Sequence, residues 1–149
     1  MALYLIKDLD DDYHSRLGVW QITESEEELR NLCSVPSDEL EEISYIRNAS
    51  LRKQKLAVRA LLDTLFEEKV YLNHHDNGKP YIENSSINLS ITHTAKYVAV
   101  IYNDTEEVGI DCESFDRDFS AVEKKALSEE EIEDLDEDKR NEQLAIYWC

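Results

Sequence analysis

Residues 50–67 constrain the fold of this chain more than any other segment. Val58, Leu61, Leu62 and Leu65 recur there at helical spacing, which predicts a helix with one apolar stripe. Such a stripe needs a second layer to cover it. Alternating and apolar runs supply that layer, predicting strands at about 2–6, 17–22, 87–92, 96–102 and 107–112, with shorter ones near 70–72 and 80–82. Ser25 with Glu28 reads as a capping box, Ser37 with Asp38 and Glu39 opens a further helix, and Ser128 with Glu131 makes a second box. Helices are also predicted over about 119–127 and 138–149. Helices and antiparallel strands are mixed, and the predicted class is α+β. With 42% hydrophobic residues in 149, one ordinary core can be buried.

Charge excludes several functions. The chain carries 34 acids against 16 bases, a formal charge of −18. A surface this acidic repels nucleic acid and anionic lipid, so neither is an expected partner. Any site for an anion must be a local basic patch. No apolar run approaches the roughly 20 residues of a membrane span, and the N-terminus, Met1 to Lys7, lacks the form of a secretory signal. Cys33, Cys112 and Cys149 are odd in number and widely spaced, which suits a reducing compartment better than a disulfide framework. The expected location is the cytoplasm. The acid run from Ser128 to Asp138 reads as a solvated helix face or loop.

Four constellations carry possible chemistry. If Val108–Cys112 is a strand, Asp111 and Glu113 project to one face and Cys112 packs inward on the other. Two converging carboxylates suit a hard dication such as Mg²⁺; a solvated strand end satisfies the same residues. Asn88-Leu89-Ser90-Ile91-Thr92-His93 ends a strand in hydroxyls and an imidazole, fit either to donate to a phosphate or to be satisfied by backbone. Asn77-Gly78-Lys79-Pro80 is a turn by composition and presents Lys79 outward. Arg52, Lys55 and Arg59 lie at i, i+3 and i+7 on the central helix, an anion patch or a set of ion pairs with nearby acids.

In series, these segments resemble the 4'-phosphopantetheinyl transferases of the surfactin-synthetase-activating type. That family's basic helix R-x-x-K-x-x-x-R-x-L-L matches Arg52 to Leu62, its G-K-P matches Gly78 to Pro80, its N-x-S-x-(S/T)-H matches Asn88 to His93, and its V-G-I-D-x-E matches Val108 to Glu113. The resemblance covers roughly 45–149. It implies a pseudo-twofold α+β fold, with residues 1–105 as the N-terminal half and 106–149 as the start of the second. The family's W-x-x-K-E-A motif is reached only at Trp148-Cys149, so the second half is expected to be partial.

The resemblance also implies an activity, holo-acyl-carrier-protein synthase: transfer of the 4'-phosphopantetheine arm of coenzyme A to a serine of an apo acyl or peptidyl carrier protein. By resemblance Asp111 and Glu113 would hold Mg²⁺ and act catalytically with Glu131, while Lys79, His93, Arg52 and Arg59 would bind coenzyme A. An inactive coenzyme A or carrier-protein binding module is the alternative reading.

Overall fold

The structure, a computed structural model, describes residues 3–12, 14–34 and 37–149. Among the described residues six strands and six α-helices run in the order β1 (Leu3–Asp8), β2 (Ser15–Gln21), α1 (Glu26–Leu32), α2 (Ser37–Ser44), α3 (Ala49–Leu65), β3 (Leu72–His74), β4 (Pro80–Ile82), β5 (Asn88–His93), β6 (Tyr97–Asn103), α4 (Ser120–Ala126), α5 (Glu129–Glu133) and α6 (Arg140–Trp148). The class is α+β. Two compact units divide the chain, Met1–Ile110 and Asp111–Cys149.

In the first unit β1, β2, β6 and β5 form a four-stranded antiparallel sheet in that order, and β3 pairs with β4 as a separate hairpin. Register decides which residues meet α3. Gly18 pairs with Val100 and Trp20 with Val98 across β2 and β6, while Ile91 pairs with Val100 and His93 with Val98 across β5 and β6. Because side chains alternate along a strand, Leu89, Ile91 and His93 share one face of β5. Leu56, Leu61, Leu62 and Leu65 of α3 are buried with Trp20, Leu89, Val98 and Val100 in one cluster. Helix and sheet approach closely at Gly18: a Cβ there would meet Leu61 Cδ1 at 2.8 Å, so the missing side chain leaves room for the helix. Beyond the helix, Phe66 closes the layer against Tyr102, ring centroids 4.7 Å apart.

The α1 cap forms where the sequence places it, whereas the α3 cap is one the sequence reading does not single out. Ser25 and Glu28 complete a capping box on α1, and the Asn48 side chain accepts from Leu51 N–H at the start of α3, each satisfying a donor that a helix start leaves unpaired. The turn between β3 and β4 is closed by Gly78 N–H donating to His75 C=O at 2.8 Å, with Gly78 at φ 86°, a conformation that costs glycine little.

The second unit has a small core of Phe119, Val122, Leu135, Leu144 and Ala145. Asn141 of α6 ties the segment before α4 to it: its Oδ1 accepts from Phe119 N–H at 2.9 Å, and its Nδ2 donates to the carbonyls of Phe115 and Arg117. Ser128 and Glu131 form the capping box of α5. Among the described residues no helix is long and apolar enough to cross a membrane.

One predicted strand is absent. Residues 107–112 carry no strand assignment, although their apolar pattern suits one. A strand exists only where a neighbouring backbone takes its N–H groups, and here Ile110 N–H donates instead to the Ser90 hydroxyl at 3.1 Å. The argument that Asp111 and Glu113 share a strand face therefore falls, and Cys112 is half-buried rather than a core residue. The predicted strand at 2–6 begins one residue later among the described residues, Ala2 lying outside them.

Candidate functional site

A cleft of about 590 Å³ opens in the first unit between α2, α3, the β3–β4 hairpin and the end of β5. Helix α3 presents it with Lys55, Val58, Arg59 and Leu62, positions i, i+3, i+4 and i+7, hence one continuous helical face. This is a second stripe on the same helix, distinct from the Leu61 and Leu65 side that meets Gly18. Strand β3 lines the cleft with Leu72, Asn73 and His74, and alternation along β5 brings Ile91 and His93 to it together. Glu39 and Glu42 enter from α2.

Arg59 is the most constrained group in this wall. It is 1% exposed, and its Nε and Nη2 donate to Asp63 Oδ1 at 3.2 and 2.7 Å. Asp63 is held in turn by the backbone N–H of Ser34, which donates to its Oδ2 at 3.0 Å. Arg59 Nη1 is buried and has no hydrogen-bond partner among the described residues. A buried N–H on a charged group without an acceptor is costly.

The imidazoles are set by their neighbours. Gln54 Nε2 donates to Ser50 Oγ at 3.1 Å, which turns its Oε1 toward His93 Nδ1 at 2.5 Å. An amide oxygen only accepts, so Nδ1 carries the hydrogen. Burial lowers the pKa of both His93 and His74 below the ordinary value, and the positive charge of Lys55 adds to it. On the α2 wall, burial raises the Glu39 carboxyl above its usual range, with Arg59 pulling the other way. Burial likewise pushes the neighbouring Cys33 thiol up to about 12; it donates to Leu56 C=O at 3.2 Å and is a packed, unreactive group. Lys55, Arg59 and the two imidazoles on one side, Glu39 and Glu42 on the other and apolar side chains between them line the cleft, a few polar groups set in apolar walls as small-ligand sites have.

The anticipated coenzyme A residues separate into two sets. Arg59 and His93 come together at the cleft. Lys79 does not line it: Gly78 does, while Lys79 Nζ, half exposed, pairs with Glu107 at 3.1 Å. Arg52 is a structural residue. Its Nε donates to both oxygens of Glu26, at 3.1 and 3.0 Å, and its Nη1 donates to the carbonyls of Ile46 and Arg47, so it ties the start of α3 to α1 and to the preceding loop.

In the second unit Asp111 is exposed and Glu113 half-buried. Glu113 Oε1 accepts from Arg117 at 2.9 Å and from Trp148 Nε1 at 3.1 Å. Burial raises the Cys149 thiol, and Asp111 and Glu113 raise it further. Glu131 spends its carboxylate on the α5 cap, accepting from Ser128 N–H at 2.8 Å. Among the described residues no group of three or more His, Cys, Asp or Glu side chains is gathered to hold a metal ion.

Sequence reasoning passed over His74, Gln54 and Glu39. A period-2 reading of Leu72-Asn73-His74 would have placed His74 beside Leu72; nothing local signals Gln54, because its role depends on a partner 39 positions away. No family model matches this chain, and no curated protein matches its sequence.

Proposed function

We propose that the chain is a transferase of the 4'-phosphopantetheinyl transferase kind, whose first unit binds the phosphates of coenzyme A in the cleft under α3. One observation carries the reading: the buried Arg59, with an N–H that has no acceptor among the described residues, in the wall of a cleft that also holds Lys55, His74 and His93. In a chain of charge −18, concentrating basic groups on one wall is what an anion site requires. Val58, Leu62 and Ile91 offer apolar surface to the rest of the ligand.

Asp111 and Glu113 supply oxygen donors of the kind Mg²⁺ takes, one or two carboxylates with water and phosphate completing the shell. Bound there, the ion would supply the charge neutralisation that phosphoryl-type transfer requires. Arg59 and Lys55 would hold the phosphates, and His93 would add a donor when protonated. The carrier protein contributes the serine hydroxyl.

A second reading is favoured by Glu113, whose Oε1 is already shared between Arg117 and Trp148: the chain binds coenzyme A without turning it over. Mass spectrometry of an apo carrier protein incubated with the chain, coenzyme A and Mg²⁺ separates the two. Transfer, lost on Asp111→Ala, supports the enzyme. Coenzyme A binding without transfer leaves the binding module.

A further inference from the structure

Anion sites are usually described by their permanent cations, but here a hydrogen-bond chain decides what the imidazole can do. Ser50 orients the Gln54 amide, and the Gln54 oxygen fixes the hydrogen of neutral His93 on Nδ1. Nε2 of the neutral ring is then a lone pair, which repels an anionic oxygen instead of binding it. We propose that an anion enters this cleft together with a proton: Nε2 of His93 takes a proton from solvent and becomes a donor, His74 is the second acceptor of protons, and Gln54 is the positioning residue that enforces the coupling. No bond of the anion breaks. The inference rests on the reading of the cleft as an anion site and names how that site is regulated.

The charges around the two rings favour the coupling. Lys55 and Arg59 approach from α3, and Glu39 and Glu42 from α2, while Asp63 is bonded to Arg59 and Lys79 pairs with Glu107 beside the hairpin turn. Empty, the cleft holds both rings below the ordinary imidazole range through burial and Lys55. An arriving dianion offsets the Lys55 charge and gives each imidazolium a partner, which reverses the balance. Binding therefore strengthens as pH falls, by about tenfold per pH unit for each proton taken up.

The test uses the full chain and inorganic sulfate, a dianion that does not titrate near neutrality, against chloride at equal ionic strength. Ring-proton NMR follows the four histidines, assigned by single substitution, while backbone amide shifts report binding. Sulfate is expected to raise the His93 and His74 midpoints by about one pH unit. His14, bonded to Asp104, and His75, stacked on Tyr81, serve as the internal standards. In Gln54→Leu the neutral ring is free to present an Nε2–H, so the rise at His93 shrinks. Amide shifts in α3 and β5 with unmoved midpoints would overturn the coupling and leave the anion site standing. Absence of amide shifts both near pH 6 and near pH 8 would overturn the site and the coupling together.

Discussion

Two arginines one face apart on α3 illustrate how little residue type says about role. Arg52 and Arg59 lie seven residues apart on the same helix, yet Arg52 spends its donors on Glu26 and two carbonyls while Arg59 Nη1 has no acceptor among the described residues. Arg52→Met is expected to cost about 1–2 kcal/mol of stability near pH 7, measured by urea unfolding. Burial would raise the Glu26 carboxyl, but Arg52 and Arg30 outweigh it and hold it below its usual value of 4.5. A depressed carboxylate stabilises the fold above that value and loses its contribution as pH falls through the folded value. The penalty of Arg52→Met therefore shrinks in acid; a penalty that is constant with pH would mean that the pair contributes nothing. Histidines divide by the same logic. The hydrogen bond and charge of Asp104 raise the His14 pKa above 6.5, whereas burial lowers those of His74 and His93. His14 should thus give a higher NMR midpoint than His74 and His93, its stabilising effect lost as pH rises through it. For His74 and His93 the loss comes as pH falls below the unfolded value.

At the scale of elements, α3 works because it has two apolar sides. One meets the sheet at Gly18, where an added Cβ lands 2.8 Å from Leu61 and 3.0 Å from Leu65. Gly18→Ala should cost about 1–3 kcal/mol in thermal or urea unfolding, and Leu65→Val in the same chain should recover part of that cost, because the two share one space. Simple additivity of the pair would show that the contact is not what Gly18 protects. The α5 cap gives a smaller effect: Ser128→Ala is expected to cost about 1 kcal/mol. Capping boxes, the helix stripe and the hairpin turn were legible in the sequence because each depends on residues within a few positions. Residues 107–112 were misread because an apolar alternation states a preference, whereas a strand requires a partner, and Ser90 had already taken the Ile110 N–H. The cleft was half legible: Arg59 and His93 stood out by type, but Gln54, His74 and Glu39 acquire a role only when α2, α3, β3 and β5 are brought together.

For the whole molecule, charge is the dominant fact. At −18 the chain repels itself and any anionic ligand at long range, and residues 103–149 hold 17 of the 34 acids with only five bases. Raising salt from about 10 to 150 mM should increase the thermal unfolding midpoint, since screening relieves repulsion faster than it weakens the few exposed ion pairs; a fall would show that the pairs prevail. The same field makes a productive anion site improbable on general grounds, which gives the Arg59 wall its diagnostic value. A calorimetric titration of coenzyme A into the wild-type chain, Arg59→Met, His93→Ala and Arg52→Met, at one ionic strength and near pH 6, tests the central claim most directly. The account predicts binding that falls at least about tenfold in Arg59→Met, falls also in His93→Ala, and stays within about twofold in Arg52→Met. Equal affinity across all four proteins, or no binding by folded wild-type chain, would contradict it.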